Sequence, residues 1–100
     1  MIYLFPECWK RCASVVSEAI YAKGEADEAV DAAIDYVRSG SRQDRAHTLE
    51  ELYDTIHATE TAMRVMGATP LERFRAWRHV IQKNARRGYY GKPFVTVRRK

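Results

Sequence analysis

Apolar positions along the chain recur at three- and four-residue intervals, and the alternation that would mark strands is almost absent. Trp9, Cys12, Val16 and Ile20 form one such stripe, which predicts a first helix from about Pro6 to Lys23 with Gly24 as its punctuation. Ala26, Ala29, Val30, Ala33, Ile34 and Val37 predict the buried face of a second helix over about 25–38, with Asp27, Asp31 and Asp35 on the other side. Ser39-Gly40-Ser41 ends it, with Gly40 suited to a C-terminal cap. A third helix is expected from near Thr48, carrying Leu49, Leu52, Tyr53, Ile56, Met63 and Met66 as its stripe and closed by Gly67. Thr69-Pro70-Leu71-Glu72 has the spacing of a capping box with proline at the first helical position, and it opens a fourth helix whose face is Leu71, Phe74, Trp77 and Ile81 and which Gly88 stops. Phe94-Val95-Thr96-Val97 reads as a short strand or an ordered tail.

The expectation is an all-α bundle of about four helices in one domain over residues 1–100. A chain of this length buries a modest core, so completion of the bundle by self-association is expected. There is no run apolar enough to span a bilayer, and the first residues turn polar too soon for a signal peptide; both point to a cytoplasmic protein. Cys8 and Cys12 sit four apart, neighbours if helical, but His47, His57 and His79 show no ligand spacing, so free thiols are favoured over a zinc site.

Charge is divided unevenly. Residues 1–69 carry 7 Lys/Arg against 12 Asp/Glu, net −5, whereas residues 70–100 carry 10 Lys/Arg against Glu72 alone, net +9. A basic last third suits an anionic partner such as a nucleotide or a nucleic acid, or simply a solvated surface.

Two acidic pairs carry the chemistry. Glu25-x-x-Glu28 and Glu51-x-x-Asp54 each place two carboxylates three residues apart, on one helix face. Four convergent carboxylates would make a hard, oxygen-rich site for Mg²⁺ or Mn²⁺. Duller explanations compete. Acidic residues are favoured in a helix's first turn, where Glu25 and Glu28 are expected, and Thr48-x-x-Glu51 is itself a capping-box pattern. Asp54 lies near the apolar stripe, with His57 in reach as a partner.

Glu-Ala-Asp-Glu (25–28), Glu-Glu-Leu-Tyr-Asp (50–54) and Lys-Asn-Ala-Arg-Arg-Gly-Tyr-Tyr (83–90) together resemble the MazG-like nucleoside triphosphate pyrophosphohydrolases over roughly residues 20–90. The resemblance implies an all-helical fold, a homodimer or homotetramer, and Mg²⁺-dependent cleavage of a nucleoside triphosphate to its monophosphate and pyrophosphate. It implies that Glu25, Glu28, Glu51 and Asp54 bind metal, and that Lys83, Asn84 and Arg87, extended by Tyr89 and Tyr90, hold the substrate. The family's first pair lies inside its helix, whereas Gly24 is expected to put Glu25 and Glu28 at a helix start. Trp9 could stack on a base, although a core anchor is the more ordinary role for it. Two other functions fit the same residues: a non-catalytic interaction or nucleotide-sequestering protein on this scaffold, or a nucleic-acid-binding module built on the basic third.

Overall fold

The computed structural model describes residues 2–8 and 14–91. Among them it contains three helices and no strand: α1 (Val15–Ser39), α2 (Arg42–Val65) and α3 (Pro70–Arg86). The chain divides into two compact units, residues 2–68 and residues from 69 onward. The all-α expectation holds. Trp9, Cys12 and the expected 94–97 strand or tail lie outside the described residues.

The first helix differs from its predicted bounds at both ends. Residues 6–8 are not helical, and α1 begins only after Ser14, whose side chain accepts from the Ser17 amide at 3.1 Å. It then runs straight through Gly24. A glycine in a helix interior costs about 1 kcal/mol relative to alanine, too little to break 25 residues that are held along their length by a neighbour. Glu25 and Glu28 therefore lie inside a helix and not in a first turn.

At the far end Gly40 adopts φ +64° and donates its amide to the Tyr36 carbonyl at 2.8 Å, ending α1 in a left-handed cap. Ser41 immediately caps α2, accepting from the Asp44 amide at 3.0 Å. Two residues thus reverse the chain, and α2 starts six residues earlier than Thr48. Thr48 caps nothing: its hydroxyl donates to the Asp44 carbonyl at 2.7 Å, with the Ala32 carbonyl of α1 at 3.1 Å. The capping-box explanation of Glu51 falls with it, since Glu51 is well inside α2.

The antiparallel seam between α1 and α2 follows a four-three spacing: Glu18, Ala22, Glu25, Ala29, Ala32 and Tyr36 from α1, facing Asp44, Thr48, Glu51, Thr55, Ala58 and Ala62 from α2. All twelve are buried or half-buried. This is the register of a helical pair in which knobs recur every 3.5 residues. The buried apolar members are alanines (Ala29, Ala32 and Ala58), which let the helices approach closely.

The expected apolar faces are, by contrast, open. Val30, Ile34 and Val37 are 57%, 42% and 82% exposed, and Leu49, Leu52, Tyr53, Ile56, Met63 and Met66 are exposed as well. The period was correct, but the stripe facing the other helix is the smaller, more polar one.

The segment before α1 crosses α2 as a strap. The Glu60 carboxylate accepts from both the Leu4 amide (2.7 Å) and the Phe5 amide (2.8 Å), and Arg64 Nη2 donates to the Phe5 carbonyl at 2.7 Å. The Arg64 guanidinium also lies 4.0 Å over the Tyr3 ring. The Phe5 ring stacks on His57, with centroids 4.7 Å apart and planes 17° apart, and meets Tyr53 edge-on at 6.1 Å. Cys8 Sγ lies 3.2 Å from His57 Nε2. His57 is therefore engaged by the strap and is not the partner that its spacing from Asp54 suggests.

In the other unit, α3 has the full predicted start. Thr69 Oγ1 accepts from the Glu72 amide at 3.1 Å, and Glu72 accepts from the Thr69 amide at 2.8 Å. Those hydrogen bonds hold the Glu72 carboxyl below its usual range. Gly88, at φ +79°, follows the helix end.

A candidate metal centre

Two of the four predicted carboxylates, Glu25 and Glu51, occupy seam positions, as Glu18 and Asp44 also do, and the other two follow three residues later on each helix. Glu28 and Asp54 are exposed at the seam's edge, whereas the Glu51 side chain is only 15% exposed. A carboxylate in such a position loses hydration and gains nothing from packing, so it costs stability unless it is partnered.

The electrostatics show that the four share one field. Glu25 has its carboxyl raised above the ordinary range, first by burial, then by the charges of Glu28, Asp54 and Glu51, and last by a hydrogen bond with Glu28. Glu51 Oε1 is buried and has no hydrogen-bond partner among the described residues. Its other oxygen faces His47 Nε2 at 3.8 Å, and His47 Nδ1 stands 3.8 Å from Glu50. As the side chains stand, no three histidine, cysteine or carboxylate groups among the described residues are gathered closely enough to ligate a single ion. The donor set is nevertheless all oxygen, anionic and mutually repelling, with one buried oxygen unspent; this fits a hard divalent cation.

The predicted substrate-binding residues are grouped at the C-terminal end of α3. Lys83 and Asn84 are half-buried, Arg87 caps the helix, and Tyr89 is exposed in the turn that follows. Lys83 and Arg87 are one turn apart on the same face. The Tyr89 amide donates to the Asn84 carbonyl at 3.0 Å, which folds the turn back onto the helix end. A shallow groove on α3 is lined by Leu71, Phe74, Arg75, Arg78, His79 and Gln82, an apolar floor beside cations.

Compared with models of known protein families, with curated proteins and with solved structures, the chain matches none. Among the described residues no helix is long and apolar enough to cross a membrane. The strap contacts were not foreseen from the sequence, because Tyr3, Leu4 and Phe5 form no periodic pattern and their amides are recognised only through tertiary contacts.

Proposed function

We propose that the chain is a metal-dependent nucleoside triphosphate pyrophosphohydrolase of the MazG-like kind, working in the cytoplasm as a homodimer or homotetramer. The observation that carries the reading is the pair of carboxylates in the α1–α2 seam, joined by Glu28 and Asp54 at its edge into one electrostatic group.

Glu25, Glu28, Glu51 and Asp54 would hold Mg²⁺, or Mn²⁺ in its place. A bound Mg²⁺ supplies charge neutralisation on phosphate oxygens and lowers the pKa of a bound water. The chain's own residues do the rest. One of the four carboxylates, not coordinating the metal directly, would accept the proton of an attacking water. Lys83 and Arg87 supply positive charge for the phosphates, Arg87 with a fork that can pair with two oxygens at once. Asn84 and Tyr89 add a polar amide and a ring for the sugar or base. The exposure of Val30, Ile34, Val37, Leu49, Leu52 and Ile56 supports self-association, which would take apolar side chains of this size out of water.

The test is pyrophosphate release from a panel of ribo- and deoxyribonucleoside triphosphates, with Mg²⁺, with Mn²⁺ and with chelator, for the native chain and for Asp54→Ala. Monophosphate and pyrophosphate in equal amounts, dependent on metal and lost in Asp54→Ala, are expected. No turnover on any nucleotide overturns the catalytic reading and favours the sequestering or nucleic-acid-binding alternatives.

A further inference from the structure

We propose that the His57–Glu60–Arg64 face of α2 is a recognition site for a guanine-type base, filled in this structure by the chain's own residues 3–5. The proposal rests on the nucleotide reading above and names the base.

The strap presents α2 with a fixed order of groups: the Leu4 N–H, the Phe5 N–H, then the Phe5 carbonyl. Glu60 takes the two donors, one on each oxygen, and Arg64 Nη2 takes the acceptor. Guanine displays the same order along its edge, with the exocyclic amino group, N1–H and O6 side by side. Adenine and cytosine offer one donor group followed by an acceptor, and uracil sets its single donor between two acceptors. Only guanine, among the common bases, matches a carboxylate that expects two adjacent N–H groups and a cation that expects the oxygen beyond them.

Arg64 supplies the second observation. Its Nη1 is buried and has no hydrogen-bond partner among the described residues. The strap's Phe5 carbonyl is taken by Nη2 and leaves Nη1 unmet. Guanine continues past O6 to N7, a further acceptor, and an arginine fork pairs with O6 and N7 together. The donor that the strap leaves unspent is the one that guanine would use.

A planar ring already has a seat beside these groups. The Phe5 ring lies nearly parallel to His57, with Tyr53 at its edge, and an aromatic base stacks in the same way. His57 is one helical turn from Asp54, and Glu60 is six residues, about 9 Å of helix, beyond it. The strap acts as a competitor, so base binding requires residues 3–5 to leave.

The test is calorimetric titration of the full chain with GMP, IMP and AMP in the presence of chelator, so that neither metal nor turnover contributes. Native protein, Phe5→Ala and Glu60→Gln would be compared, with helicity checked by circular dichroism. GMP is expected to bind at least about tenfold tighter than AMP, with IMP weaker than GMP by about fivefold for its missing amino group. Phe5→Ala, which loosens the competitor, should tighten GMP by several fold. Glu60→Gln should erase the preference for GMP over IMP while the helicity is kept. Equal binding of the three nucleotides, absence of binding in both native protein and Phe5→Ala, or an unchanged preference in Glu60→Gln would each overturn the proposal. Pyrophosphate release without base preference would leave the hydrolase reading standing and remove this one; guanine-selective binding without turnover would do the reverse.

Discussion

Two faces of α2 handle carboxylates in opposite ways. On the strap face Glu60 spends both oxygens on backbone amides of residues 4 and 5. On the seam face, fewer than three helical turns away, Glu51 keeps one buried oxygen with no hydrogen-bond partner among the described residues. The same kind of group holds the structure together in one place and strains it in the other. A satisfied carboxylate stabilises locally, whereas an unsatisfied one in a seam position costs stability until a cation or a hydrogen-bond donor meets it.

The contrast can be broken most severely through activity. Glu51→Gln should lower metal-dependent pyrophosphate release by about 100-fold or more, because one of the four carboxylates that would hold Mg²⁺ loses its charge; steady-state kinetics with saturating Mg²⁺ would check this. Next is the seam itself. Ala32→Leu forces a larger side chain between closely packed helices and should destabilise the hairpin by about 1–3 kcal/mol in urea unfolding. Glu60→Gln should cost about 1–2 kcal/mol by the same measure, as one of two charge-assisted acceptors for the strap becomes an amide donor.

The smallest effect has the opposite sign. Glu25 has a carboxyl raised in the folded state, so the folded chain holds that proton more tightly than the unfolded chain does. Ionisation of Glu25 therefore removes stability as pH rises through its folded-state pKa, and no penalty remains below the ordinary carboxylate range. Glu25→Gln should stabilise the protein by about 0.2–0.5 kcal/mol at neutral pH. The gain should fade as pH falls to about 4, which paired unfolding curves would show.

Much of this arrangement was legible in the sequence, for local reasons. The Thr69–Glu72 box, the Gly40 cap and the helical class depend on neighbouring residues, and each is present. The acidic pairs were visible as spacing, and the structure brings all four into one field. The errors arose where a local signal met a longer-range constraint. Gly24 reads as a stop, but nothing lies within 4 Å of where its Cβ would be, and the seam on both sides carries the helix across it. Thr48 reads as a cap, but Ser41 takes that role six residues after Asp35 and leaves Thr48 to bond backwards. The large apolar side chains read as an internal core, yet in one chain they remain outside, because the alanine stripe makes the closer helix contact.

The two-residue reversal at Gly40–Ser41 also sets the order of events in folding. Contacts across the hairpin grow outward from it, from Tyr36 and Arg45 (3.1 Å apart) to Ala32 and Thr48, and only then to Glu25 and Glu51. Each step closes a short loop, which is the fast route for a helical pair. The repelling acids meet late, after the alanine and threonine contacts nearest the reversal have formed. Their mutual repulsion falls on the rate at which the finished hairpin opens and hardly touches the rate at which it forms. A cation held there, as the proposed function requires, would act as a clasp midway along a zipper, lengthening the lifetime of the closed hairpin.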